Sequence, residues 1–397
     1  MWRAAGITAT AWVAGAIALR VTLAPAQVCP AVTVDGARDS AYEAAAWIER
    51  AQADDGSYLY DWDRETGEPV PGYNSVRHAG VTMSLYQLAA ETGDLAPIAP
   101  ADRGLAWMQE RLFQRDGWTA MDVPGEGVKL GGNALLLAGL AQRRLATGDG
   151  QHDDLMRAVA RFLVVLQGPD GSFSSRWLPE TGRPNTERSL YATGEAFWAL
   201  ALMHRLFPGE GWDVPVRAVA DYLALHRDEV ENTKFPPWAD QWAAYGFAEM
   251  APLPGLALSD DHVAYVRSLA DRFGFLIRAD SQRTDGAWSK LIHGRRARAA
   301  GAGTWVEALG SLWRLSQADP RLAGLAPKLA ERGACGAGML RDRQITESEA
   351  AGKEHAAILG GAWFTEDRTR MDDQQHALSA LIRARELIAA HTGKAND

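Results

Sequence analysis

Two kinds of segment with helical periodicity alternate along the chain. The first kind carries one apolar stripe and one wet face: 40–52, 101–114, 153–167, 213–230, 260–277 and 324–344. The second is apolar or small on every side: 77–94, 131–149, 191–209, 238–253, 301–319 and 372–388. A helix that is apolar all round is a buried helix. Runs that alternate with period two are scarce, so the expected fold class is all-α. Six amphipathic helices alternating with six buried ones predict six α-hairpins closed into a ring, with the buried set inside. Closure seats the last hairpin beside the first.

The connections differ by direction. From inner to outer helix they are brief, as in "TGD" at 92–94 and 147–149, whereas from outer to inner they are long and rich in Gly, Trp, Tyr and charge. Long loops in a compact domain are usually functional. All six fall on the face where the inner helices begin, and helix N-termini favour an anionic ligand.

The first segment stands apart. After Arg3 comes "AAGITATAWVAGAIAL" (4–19), short for a membrane span and of signal-peptide size, then "APA" (24–26), an A-x-A cleavage signal. Residues 1–26 therefore read as an export signal, with an uncleaved anchor and N-terminal membrane association as the alternative, because Arg20 sits late in the run. Residues 27–38 read as a linker, 39–392 as one ring-shaped domain and 393–397 as a tail. Export leads to the periplasm, free or anchored, where Cys29 and Cys335 either pair or stay unrelated thiols.

Composition narrows the ligand. Of 397 residues, 47 % are hydrophobic, enough for a large core, and the net charge of −9 argues against a nucleic-acid binder. "HGRRARAAG" (293–301) is the one basic run. Fifteen Trp suggest stacking platforms for a ring-shaped ligand beyond those that fill the core.

The ends of the outer helices carry a recurring motif. "WIERAQADDGSY" (47–58) and "FLVVLQGPDGSF" (162–173) each end in Gln, a short spacer and Gly-x-aromatic, with looser copies at 103–118 and 275–288. This resembles the QW repeats of terpenoid cyclases, and with them the α/α-toroid superfamily of six helical hairpins. The resemblance implies a structural clamp: Gln bonds backbone at the helix end, and the aromatic stacks on the next hairpin. Function stays open, since similar toroids include polysaccharide lyases, six-hairpin glycosidases, sugar epimerases and protein prenyltransferases. Cyclases that start by protonation carry Asp-x-Asp-Asp, and here "RMDD" (370–373) and "LSDD" (258–261) are only approaches to it. A terpenoid or prenyl enzyme is therefore disfavoured. Neither a prenyltransferase-like zinc set nor a lanthionine-cyclase-like Cys-His pair is evident, so no metal and no other cofactor is expected.

Candidate residues gather at the starts of the inner helices. The first supplies Tyr73, Asn74, Arg77 and His78; the last supplies Arg370, Asp372, Asp373, Gln374 and His376. Asn74 and the two Asp residues suit helix capping, but Arg beside a helix N-terminus is electrostatically unhelpful, so capping does not explain Arg77. Around the ring Lys129, Asn133, Glu195, Trp238, Trp305 and Glu307 interrupt apolar helices. Glu195 is costly to bury alone, so it faces the cavity or pairs with a cation such as Arg188. Trp118, Trp177, Trp238, Trp288 and Trp363 lie on or next to the long loops, where they could stack on sugars.

The expected function is an exported enzyme acting on an acidic oligo- or polysaccharide. Hydrolysis would use two carboxylates, Glu195 or Glu307 opposite Asp373. Lyase or epimerase chemistry would use Arg77 or Arg370 to neutralise a uronate and His78, His376 or Tyr73 as base. A non-catalytic envelope protein that holds a glycan or peptide is the alternative in another class.

Overall fold

The computed structural model describes residues 2–22, 25–232 and 240–394. After α1 (Trp2–Thr22) come the hairpins α2 (Val34–Arg50) with α3 (Ser75–Thr92), α4 (Ile98–Gln109) with α5 (Leu130–Thr147), and α6 (Asp153–Leu166) with α7 (Ala192–Leu206). In the fourth, α8 (Asp213–Leu225) and the single turn α9 (Arg227–Val230) precede α10 (Gln241–Met250). The fifth is α11 (Asp260–Ser281), the loop helix α12 (Ala287–His293) and α13 (Ala299–Ala318). The sixth is α14 (Ala326–Arg343), two short loop helices α15 (Glu347–Ala350) and α16 (Ala356–Leu359), and α17 (Met371–Lys394).

Each inner helix packs on the next, and α17 packs on α3, so the ring is closed. The fold is an α/α toroid. Its two rings follow from the two patterns. Outer α6 buries Met156, Val159, Ala160, Phe162, Leu163 and Leu166 along one stripe, whereas inner α5 is buried at every position from Leu130 to Arg143. Helix α2 starts six residues before the apolar period shows it, with Thr33 capping the amide of Gly36. Helix α10 is shorter than its apolar run at both ends.

Short strands that the pattern did not reveal tie the long loops together. In the first loop β1 (Asp61–Asp63) pairs with β2 (Glu68–Pro69) and, across the ring closure, with β8 (Arg368–Arg370) in the last, Asp61 facing Arg370. The second loop folds β3 (Leu112–Arg115) on β4 (Trp118–Met121), and its β5 (Val128–Lys129) joins β6 (Arg176–Leu178) and β7 (Arg183–Pro184) of the third.

The glutamine motifs are clamps. Gln52 donates to Pro100 O at 3.0 Å and Gln167 to Pro215 O at 3.0 Å, each reaching the first turn of the next outer helix. The glycine that follows has φ +85° at Gly56 and +83° at Gly171, and a Cβ there would strike the carbonyls of Arg103 and Ala218. A third clamp was hidden by a longer insertion: Gln344 donates to Ser40 O at 2.9 Å and Gly361 O at 3.0 Å, and Trp363 is its aromatic. In the looser copy at 275–288, Gln282 instead donates to Pro25 O at 2.8 Å. Residues 25–33 thus lie as a strap on the outer ring, held also by a disulfide between Cys29 and Cys335. Among the described residues no helix is long and apolar enough to cross a membrane.

Candidate active site

A cavity of ≈ 820 Å³ opens where the inner helices begin, and all six contribute to its wall. It merges with a branch of ≈ 920 Å³ through Val76, Arg77, Tyr191 and Glu195, the branch adding Asn74, Lys129, Arg176, Glu187 and Arg188. Three groups of side chains define its chemistry.

The first is an oriented imidazole. His376 lines the cavity, and its Nδ1 lies 2.8 Å from Glu307 Oε1. A carboxylate accepts, so Nδ1 carries the hydrogen and Nε2 keeps a lone pair. Glu307 is fully buried, and its other oxygen accepts from the Tyr245 hydroxyl at 2.9 Å. Burial opposes protonation of His376, but the Glu307 carboxylate, with Asp372 and Asp373 behind it, outweighs burial and holds the pKa above 6.5. Gly303 lets α13 approach the backbone of His376 at a distance no side chain would allow.

The second is Glu195. It lines both parts of the cavity, and its carboxyl has no hydrogen-bond or ion-pair partner among the described residues. Burial, with the neighbouring Asp240 carboxylate adding to it, pushes its pKa up to about 8, so it is a neutral acid at pH 7. Gly131 leaves the space its carboxyl occupies. Asp240 itself caps α10 at the amides of Trp242 and Ala243, and Arg227 Nη1 holds it at 2.6 Å. Arg188 pairs with Asp170 at 3.7 Å and not with Glu195.

The third is a cation pair around one carboxylate. Asp372 Oδ2 lies 3.2 Å from Arg77 Nε and 3.1 Å from Arg370 Nη2, and all three line the cavity. Arg77 also donates to the Tyr60 hydroxyl. Arg370 Nε and Asp372 Oδ1 are buried with no partner among the described residues. Two arginines against one aspartate, with Glu195 neutral, leave the main part of the cavity with arginine charge in surplus by one.

Several expected site residues serve the fold instead. His78 is a correction: it faces α4, not the cavity, with Nδ1 2.7 Å from the Tyr73 hydroxyl, Nε2 2.9 Å from Gly104 O, and its ring stacked 4.1 Å from Trp107. Tyr73 is spent on that bond and on the amide of Tyr58. Asp373 is also corrected. It is fully buried, holds Arg298 Nη2 at 2.5 Å, and accepts from the amides of Ala300 and Arg370. Asn133 accepts from Met121 N at 2.6 Å and donates to Lys129 O at 2.8 Å, a buried brace and not a ligand contact. Gln374 is buried against Thr369. Trp363 donates to Leu340 O in the core, Trp305 packs on the core outside the cavity, and Trp118 and Trp177 are buried against each other. Glu307 orients the imidazole without lining the cavity. Asn74 caps α3 at the Arg77 amide, and Lys129 pairs with Glu126; both line the branch. Trp238 lies outside the described residues.

Tyr191, Gln241, Trp242 and Gln375 line the cavity and were missed. In a helix apolar on every side, nothing in the pattern marks the side that faces the ring axis. Among the described residues no cluster of three or more His, Cys, Asp or Glu is placed to hold a metal ion.

The neutral, buried His78 couples stability to pH. Burial pushes its pKa down to about 4, against 6.5 when unfolded. The folded form is therefore favoured above the unfolded pKa, and that advantage is lost as pH falls from about 6.5 through 4. The expected loss between pH 7 and pH 4 is about 3 kcal/mol. Urea unfolding at both pH values, compared with a His78→Gln variant, isolates it; equal losses in both proteins would refute the assignment.

Neither a protein-family profile nor a curated protein sequence matches the chain. Among solved structures, the cellobiose 2-epimerase from Spirochaeta thermophila aligns over 89 % of this chain and 97 % of its own, at 14 % identity and TM-score 0.57. An unsaturated glucuronyl hydrolase specific for heparin covers 89 % and 97 % at 12 % identity and TM-score 0.57. An alpha-1,6-mannanase from a Salegentibacter strain, in complex with alpha-1,6-mannotriose, covers 88 % and 99 % at 12 % identity and TM-score 0.56. Identities this low establish a shared fold, the six-hairpin α/α toroid.

Proposed function

We propose that this protein is a carbohydrate-active enzyme that removes the proton beside the carboxylate of a uronate residue, as a lyase or an epimerase. The observation that carries the reading is the combination in one cavity of an oriented imidazole, a protonated carboxylic acid and surplus arginine charge. Arg77 and Arg370 are placed to neutralise the substrate carboxylate, which makes the adjacent C–H more acidic. His376 Nε2 takes that proton. In elimination the electron pair forms the C4–C5 double bond, the C4–O4 bond breaks, and Glu195 protonates the leaving oxygen. In epimerisation Glu195 instead returns a proton to the opposite face of C5.

Sugar-acting neighbours on the same fold support the reading, and the sequestered Asp373 weighs against a two-carboxylate hydrolase built on it. We also propose export, on the strength of the apolar segment, the A-x-A signal and the disulfide.

The roles fix a pH profile. His376 works unprotonated, so activity rises with pH through a value above 6.5, and Glu195 works protonated, so activity falls again through about 8. Rates on oligogalacturonate and oligomannuronate from pH 5 to 10 test this. Glu195→Gln is expected to abolish the alkaline limb and slow elimination at least tenfold; an unchanged alkaline limb in that variant would remove Glu195 from the mechanism.

A further inference from the structure

None of the arginines in the basic run at 293–301 lines the cavity, yet the fold gives two of them, Arg295 and Arg296, a cleft of their own. On the same face, ≈ 890 Å³ of space is walled by Arg64, Lys290, Arg295, Arg296 and Arg343, with Asp285 and Glu366 the acidic walls among the described residues. Five cations against two anions leave +3, in a chain of net charge −9. Some of that charge is tied up: Arg295 meets Glu366 at 2.7 Å, Arg296 meets Asp285 at 3.3 Å, and Arg64 meets Asp367 at 2.9 Å outside the wall. The rest is not. The amine of Lys290 has no partner among the described residues, and Arg343 Nη1 is buried without one. Phe364 adds an apolar floor, with the Arg64 guanidinium 5.3 Å above its ring.

The cleft adjoins the catalytic cavity. Thr365, in its wall, bridges to Arg368 at the start of β8, and Arg370, two residues on, lines the cavity. Two residues of strand rise about 7 Å, more than one sugar carboxylate reaches and within the reach of a chain of sugars. The other edge repeats the arrangement: Arg296 lines the cleft, Arg298 holds Asp373, and Ala300 lines the cavity.

We infer that this cleft is a remote subsite for the carboxylates of a longer acidic oligosaccharide whose reacting unit sits in the cavity. The inference rests on the function proposed above and deepens it: the substrate is a polyuronate, not a single uronic acid. Screened contacts of this kind weaken with salt, so the gain from chain length shrinks as ionic strength rises.

The test is calorimetric binding of two- and six-unit oligogalacturonate and oligomannuronate to a His376→Ala protein. A second protein adds Lys290→Glu and Arg295→Glu, both at exposed positions, with its melting temperature checked. The expected result is six-unit affinity reduced at least tenfold and two-unit affinity unchanged. Six-unit affinity within twofold of the parent overturns the inference. So does loss of binding to phosphatidylglycerol vesicles with six-unit affinity unchanged, since that outcome makes the cleft, with exposed Trp288 and Leu291 on α12 beside it, a membrane contact. If neither chain length binds the parent, the proposed function fails and the subsite with it. If the two-unit ligand binds and is lost in Arg77→Ala, the function stands and only the subsite is decided by the charge reversal.

Discussion

Replacing His376 by alanine is expected to lower kcat on a uronate oligosaccharide by two to four orders of magnitude, the range for loss of a positioned general base. KM is expected to change little, because in the proposed mechanism the carboxylate is bound by Arg77 and Arg370 and not by the imidazole. The variant leaves Glu307 with one partner, Tyr245, so some stability is lost, about 1–3 kcal/mol for an unpaired buried acceptor. Steady-state kinetics on protein verified as folded separates the two effects. A fall in kcat of less than tenfold would exclude His376 as the base. His78→Ala, by contrast, is expected to act on stability alone, because His78 touches Tyr73, Gly104 and Trp107 and not the cavity.

Asp373→Ala is expected to destabilise the fold by about 3–5 kcal/mol while the folded fraction keeps its turnover. Removing this carboxylate strands the Arg298 guanidinium and two amides, at Ala300 and Arg370, where α13 and α17 start. Asp373→Asn keeps the shape and part of the bonding, so its loss is smaller. Urea unfolding followed by circular dichroism measures both. If Asp373→Ala instead unfolds at the parent's denaturant midpoint and loses turnover, Asp373 belongs to the chemistry after all.

The twelve helices of the toroid were legible because burial writes two different patterns, a stripe on the outer set and an all-round apolar surface on the inner. Two of the three clamps were legible for a similar reason, since Gln52 and Gln167 each have their glycine four residues on. The third was not, because the insertion between Gln344 and Gly361 erases the spacing. Ring closure had one trace in the sequence, cations at the start of the first inner helix and carboxylates at the start of the last, and it became the Arg77–Asp372 contact. Glu195 stood out as a lone carboxylate in an apolar helix, and the fold turns it into the cavity.

Which way a side chain turns was less legible. His78 and His376 both precede Ala near the start of an inner helix, yet one faces the outer ring and the other the cavity. Asp372 and Asp373 are adjacent, and one helical step, about 100° of rotation, sends the first to the cavity and the second to Arg298. A helix apolar on all sides carries no record of its inward face. Tyr191, Gln241 and Trp242 were missed for that reason.

Removal of a proton from the carbon beside a uronate carboxylate leaves a trace in the substrate itself. Proton NMR of oligogalacturonate and oligomannuronate incubated with the enzyme in D2O tests it most directly. The expected result is either loss of the H5 signal by exchange or appearance of a C4–C5 unsaturated product, in both cases abolished by His376→Ala. Cleavage that yields only saturated reducing ends, with H5 fully retained, would contradict it.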